Sequence, residues 1–150
     1  MAGHLLDEQI RVPCVIMRGG TSKGVFFDEA DLPADPEDRA ALILAAMGSP
    51  DPRQIDGLGG ADPLTSKVCI IGPGEAFGAH CTYTFAQVGI DEPYVALSGN
   101  CGNLSAAVGV YAIERGLAPA QEPETEVRIY NTNARQILIA RVPVRNGRPA

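Results

Sequence analysis

Apolar and polar positions recur along this chain with two periods, and each change of period marks an element. Leu104, Ala107, Val108, Tyr111 and Ala112 fall at helical spacing, the stripe of a helix packed on a core. The run before them, Tyr94-Val95-Ala96-Leu97, is strand-like. Ser98-Gly99-Asn100-Cys101-Gly102-Asn103-Leu104-Ser105 is therefore a strand-to-helix turn with Cys101 near the helix start. An earlier helix is predicted from Asp35. That residue suits an N-cap, Pro36 the first helical position, and Glu37 with Asp38 an acidic first turn. Ala40, Ile43, Leu44 and Met47 form its apolar face, and Gly48 with Pro50 ends it.

The strand period governs the rest. Residues 11–17 and Val25-Phe26-Phe27 read as strands around Arg18-Gly19-Gly20-Thr21-Ser22-Lys23-Gly24, a hairpin with a long loop. Lys67 opens a continuous apolar strand, and residues 80–88 alternate like another. Between them, Gly72-Pro73-Gly74-Glu75-Ala76-Phe77-Gly78 reads as a turn joining antiparallel strands. It is not a dinucleotide-binding fingerprint: its third glycine comes one position late, and a strand follows where a helix is needed. Gly116 is placed to cap the second helix, residues 118–124 form a Pro/Glu linker, and residues 126–133 and 135–144 alternate as two further strands. Asn146-Gly147 is then a strong hairpin signal, yet only Arg148-Pro149-Ala150 follow. The expectation is a piece of a longer protein whose returning strand is missing.

Composition narrows the classes. A chain of 150 residues, 45% hydrophobic and 20% charged, suits one soluble globular domain. A net charge of −6 argues against nucleic acid or an anionic membrane as partner. The first eight residues show no basic stretch leading into an apolar one, so no signal peptide is expected. Cys14, Cys69, Cys81 and Cys101 are scattered, without C-x-x-C or a histidine at ligand spacing. That pattern predicts reduced thiols in a cytoplasmic protein and no metal site. His4 and His80 are isolated and receive no role.

Three places carry candidate chemistry. At a helix start, unpaired N–H groups and the helix dipole favour negative charge, which gives Cys101 thiolate character; a small buried cysteine at a turn fits the same residues. The 18–24 loop, with two cations and two hydroxyls among its glycines, reads equally as a carboxylate or phosphate cradle and as a solvated hairpin tip. It is no Walker loop, because Gly24 follows the lysine. Lys67 is half desolvated by its apolar neighbours, a setting that suits a general base. Lysine occurs only at positions 23 and 67, both beside glycine- or hydroxyl-rich turns.

Four motifs in order then point to a family. Met17-Arg18-Gly19-Gly20-Thr21-Ser22-Lys23-Gly24-Val25-Phe26-Phe27, Ser66-Lys67-Val68, Tyr83-Thr84-Phe85-Ala86-Gln87-Val88 and Ser98-Gly99-Asn100-Cys101-Gly102-Asn103 closely resemble the methylaconitate cis-trans isomerase and 4-oxalomesaconate tautomerase family. That resemblance implies an α+β, diaminopimelate epimerase-like domain: a curved, mostly antiparallel sheet wrapped around a central helix at about 102–115. It is one of two such domains, with the active site in the cleft between them. Residues 1–144 would be the N-terminal isomerase domain, and 145–150 the start of the connection to the missing one.

The implied reaction is an allylic proton shift on an unsaturated di- or tricarboxylic acid, with no cofactor and no metal. By resemblance Lys67 and Cys101 are the acid/base pair, Lys67 being assigned as the proton-abstracting base and Cys101 as its partner acid or base, with the reverse direction equally open to the sequence. The N–H groups of Gly102 and Asn103 would hold one substrate carboxylate and Arg18, Gly19, Thr21 and Ser22 another. Asn100, Ser105, Ser66 and Leu104 complete the substrate-binding set. The implied partners are a small unsaturated polycarboxylate and the missing C-terminal domain, with room for a homodimer. Two other readings stand beside this one: an epimerase or racemase inverting one carbon, and a carboxylate-binding accessory protein without turnover.

Overall fold

The structure, a computed structural model, describes residues 4–6 and 9–150. β1 (His4–Leu6) and β2 (Gln9–Arg11) pair antiparallel as a ribbon of their own. From there the chain builds one sheet. β3 (Val15–Gly19) turns at Gly20 and Thr21 into β4 (Ser22–Asp28), and Gly20 holds φ +55°, which glycine adopts without strain. The long loop expected over 18–24 is thus mostly ladder, with Arg18 opposite Lys23 and Gly19 opposite Ser22. Pairing satisfies backbone groups that a loose loop would leave to water.

α1 (Pro36–Met47) forms as its caps dictate. The Asp35 carboxylate accepts the Asp38 N–H at 3.0 Å, Pro36 opens the helix, and Gly48 closes it at φ +83°. β5 (Lys67–Pro73) lies parallel to β4 and antiparallel to β6 (Cys81–Val88), across a 3-10 turn at Glu75–Phe77. β7 (Val95–Ala96) is short and pairs only with the end of β6. α2 (Gly102–Glu114) follows and ends where Gly116 takes φ +75°. β8 (Glu124–Asn131) runs parallel to the start of β6, and β9 (Gln136–Arg145) returns antiparallel. Asn146 and Gly147 both have positive φ, and β10 (Arg148–Pro149) folds back on β9. Residues 145–150 form the tip and return of that hairpin, so a short returning strand follows Asn146-Gly147.

The sheet order is β10-β9-β8-β6-β5-β4-β3, with β7 beside β6. Five of its seven pairings are antiparallel, as expected for this fold class. α2 touches β3 and β4 near one end of that order and β8, β9 and β10 at the other. One helix can reach both only if the sheet curls around it. Alternation along the strands fills two cores. Phe26, Cys69, Tyr83, Phe85, Val127 and Ile129 point inward against Leu104, Val108 and Tyr111 of α2. Val25, Phe27, Val68, Ile70 and Val88 point outward, under Ile43 and Met47 of α1. Buried on both faces, β5 reads as an unbroken apolar run. Among the described residues no helix is long and apolar enough to cross a membrane.

Candidate active site

Strand parity decides what faces the start of α2. On β5, Cys69 and Ile71 point toward that helix, so Lys67, two residues earlier, does the same. On β4, Phe26 and Gly24 share that face with Ser22, and a Cβ on Gly24 would lie 2.9 Å from Leu104 Cδ1. Cys101 is the N-cap of α2, with extended backbone at φ −132°. Three side chains from three distant stretches therefore converge. Lys67 Nζ lies 2.8 Å from Ser22 Oγ and 3.4 Å from Cys101 Sγ, and the hydroxyl and the sulfur are 3.7 Å apart. Ser22 is fully buried, Cys101 is 5% exposed and Lys67 8% exposed.

A buried ammonium needs a counter-charge or strong hydrogen-bond acceptors. Among the described residues no carboxylate pairs with Lys67; its neighbours are the Ser22 hydroxyl, the Cys101 sulfur and the Phe85 ring, 5.8 Å to the centroid. The cysteine is the anionic candidate. Burial pushes the Cys101 thiol up, but the Leu104 backbone N–H, the Ser22 hydroxyl and the Lys67 ammonium outweigh it and hold the thiol below its ordinary value. Cys14, Cys69 and Cys81 go the other way, raised by burial, Cys81 to about 11. Of the four cysteines, only Cys101 is shifted toward the thiolate.

The hairpin tip and the helix start are built against each other. A Cβ on Gly19 would collide with the Asn103 carbonyl, and one on Gly20 with the Asn103 side chain. Asn103 Nδ2 donates to Thr21 Oγ1 at 3.0 Å. Space opens beyond: a Cβ on Gly102 would meet nothing within 4 Å, and Arg18, Thr21, Asn100 and Asn103 are exposed. A ligand above Cys101 would meet glycine backbone and helix-start amides, whereas Arg18, between the inward-facing Met17 and Gly19 of β3, falls on the opposite face of the sheet and is not brought to the thiol.

These residues match a known group: the family model for the PrpF protein covers residues 9–149. The chain belongs to the PrpF family. This PrpF-family chain is 55% identical to 3-methylitaconate isomerase of Eubacterium barkeri, over 95% of its own length and 38% of that protein's. It is 53% identical to 4-oxalomesaconate tautomerase of Pseudomonas putida, over 93% of its own length and 38% of the relative's. A solved methylitaconate-delta-isomerase superposes with a TM-score of 0.90 at 56% identity, covering 92% of this chain and 36% of that one. The fold is the diaminopimelate epimerase-like one implied by the sequence. The chain spans about 38% of the length of the curated relatives it matches.

Not every expected site residue presents its side chain to this place. Ser66 is one position out of phase with Lys67 and faces α1. It is fully buried, its hydroxyl donates to the Val88 carbonyl at 2.8 Å and accepts from Gln54 Nε2 at 2.8 Å, and its side chain is turned away from Cys101. Leu104 is fully buried in the inner core, so only its backbone N–H reaches the site. The Ser105 hydroxyl turns back to the Cys101 carbonyl at 3.1 Å, which also receives Tyr83 OH at 3.3 Å. Ser22, expected to hold a substrate carboxylate, is instead enclosed between the ammonium and the thiol.

Sequence reading also missed residues, having counted residues 126–133 as plain strand. Asn131 is fully buried and donates through Nδ2 to Asn100 Oδ1 at 3.0 Å. Asn133 accepts the Phe85 N–H at 2.7 Å and donates to the Phe85 and Leu97 carbonyls at 2.9 and 2.8 Å. Its amide stands in for a strand where β6 has neither β7 nor β8 beside it. Asn-Thr-Asn at a strand end is the turn chemistry that could have signalled this.

Proposed function

We propose that the whole protein is an isomerase moving a double bond in an unsaturated di- or tricarboxylic acid by an allylic proton shift. The observation that carries this is the placement of Lys67 Nζ and Cys101 Sγ side by side, 3.4 Å apart at the start of α2. Two adjacent proton carriers suit removal at one end of a C–C=C unit and return at the other. Inversion of a single carbon needs groups on opposite faces, which these two are not. The names of the relatives support the same class.

In this reading Cys101, as the thiolate, takes the proton next to the carboxylate-bearing carbon. The electron pair delocalises into a dienolate. Lys67, as the ammonium, stabilises that charge and gives its proton to the far carbon. The Cys101 thiol then returns its proton to Lys67 across their direct contact or through the Ser22 hydroxyl, restoring the starting pair. This assigns the base to Cys101, the reverse of the expectation from resemblance, because its thiol is held below its ordinary value with the Lys67 ammonium 3.4 Å away. The free amides of Gly102 and Asn103 and the positive end of the α2 dipole receive a substrate carboxylate. Thr21 flanks the hairpin side, and the remainder of the protein closes the pocket in a cytoplasmic setting.

The test is deuterium exchange followed by NMR, with the full-length protein and a panel of unsaturated tricarboxylates. Deuterium at the far end of the allylic unit, with the double bond moved, is the expected result. Exchange confined to the carbon that lost hydrogen would replace the proposal with epimerisation, and saturable binding without exchange would leave a binding protein.

A further inference from the structure

Two carboxamides, Asn100 and Asn131, are hydrogen-bonded in series to the backbone of Cys101, and the direction of every bond in the series is fixed. At one end the Ala134 backbone N–H donates to Asn131 Oδ1 at 2.7 Å. At the other end the Cys101 backbone N–H donates to Asn100 Oδ1 at 2.9 Å. A backbone N–H can only donate, so neither amide can rotate end for end without facing donor to donor. With its oxygen thus assigned, Asn131 must donate through Nδ2, and it does so to Asn100 Oδ1 at 3.0 Å. Asn100 Oδ1 therefore accepts twice, while Asn100 Nδ2 has no partner among the described residues. Asn131 is fully buried and Asn100 is exposed beside the cysteine.

We propose that Asn131 is a positioning residue that locks the Asn100 carboxamide with its NH₂ group outward, so that the site presents a donor, never an acceptor, to a ligand carboxylate or enolate oxygen. The inference rests on the proposed polycarboxylate site. It explains a cost otherwise without return. Burying an amide this completely is favourable only if its bonds are made, and here they are made toward the loop that carries the thiol. Asn133, two residues on, ties Leu97 at the other end of the same loop, so one turn grips the loop at both ends.

The test is a double-mutant cycle in the full-length protein, read by protection of Cys101 from iodoacetamide with succinate or maleate as the carboxylate probe. Asn131→Asp keeps the acceptor for Ala134 but cannot donate to Asn100 and repels its oxygen. It should weaken protection roughly tenfold or more, the scale of a hydrogen bond to a charged group. In an Asn100→Ala background the same change should shift protection less than about twofold, because its effect runs through Asn100. Equal effects in both backgrounds would overturn the proposal, as would a wild-type protein that neither acid protects. Asn131→Ser, which retains a short donor, is the second variant should Asp fail to give a native thermal melt. It should fall between wild type and Asp in the same cycle, and additivity would sink the idea here too. Protection needs no turnover, so failed isomerisation and failed positioning are read separately.

Discussion

Lys67 Nζ sits 3.4 Å from Cys101 Sγ, and no carboxylate shares the ammonium among the described residues. The first prediction concerns this pair. Because the folded thiol lies below its ordinary value, its alkylation rate should rise with pH through an inflection below that of the same cysteine in the unfolded chain. The sign for stability follows: the contribution is present above the unfolded value and is lost as pH falls through the folded one. Lys67→Met removes a hydrogen bond and a charge and leaves burial, so the inflection should move up. An inflection unmoved by that change would dismiss the ammonium as its cause.

Removing either partner should stop the proton shift without unfolding the domain. Cys101→Ala and Lys67→Met are each expected to cut kcat by about 10²- to 10⁴-fold, the usual worth of a positioned acid or base. The measurement is deuterium incorporation alongside a thermal melt. Retained exchange in either variant would remove that residue from the mechanism.

Ser22→Ala should have a smaller effect, roughly tenfold in kcat, and should raise the Cys101 inflection. The hydroxyl is enclosed and contacts both reacting groups. A rise in KM alone, with kcat and the inflection unchanged, would return Ser22 to the substrate-binding role the sequence suggested.

Gly19→Ala tests the seating of the hairpin tip. Its Cβ would strike the Asn103 carbonyl, backbone on both sides, so the tip must lift from the helix start. Stability should drop by about 1–3 kcal/mol, typical of overpacking, and turnover should drop with it. A variant with native melting and native kcat would show that the close approach is unnecessary.

Gln54→Ala separates scaffold from site. Gln54 is 1% exposed and bonds Ser66, Ser49 and the Ala61 N–H on the α1 side of the sheet. Loss of that network should lower stability by about 1–3 kcal/mol while kcat stays within about twofold. A selective loss of kcat would tie the α1 side of β5 to the chemistry.

Local chemistry determined much of this protein. Asp35, Pro36 and Gly48 set α1; Gly116 set the end of α2; Asn146 and Gly147 set the last turn. Each acts through backbone preferences spanning a few residues, so each is readable in a window of sequence. The same holds for Cys101 at a helix start, and for the family, whose motifs are contiguous.

Tertiary structure decided what the side chains at those positions can do. Ser66 and Lys67 are neighbours in sequence, yet one bonds Gln54 under α1 and the other reaches the thiol, because a strand sends successive residues to opposite faces. Which face is the site depends on where α2 docks. Ser22 meets Lys67 only because β4 and β5 pair side by side, which encloses its hydroxyl next to the ammonium. Asn131 looked like strand, because its partner Asn100 lies 31 residues away. Pairings of that range are fixed by how the sheet curls around its helix, and no local pattern encodes them.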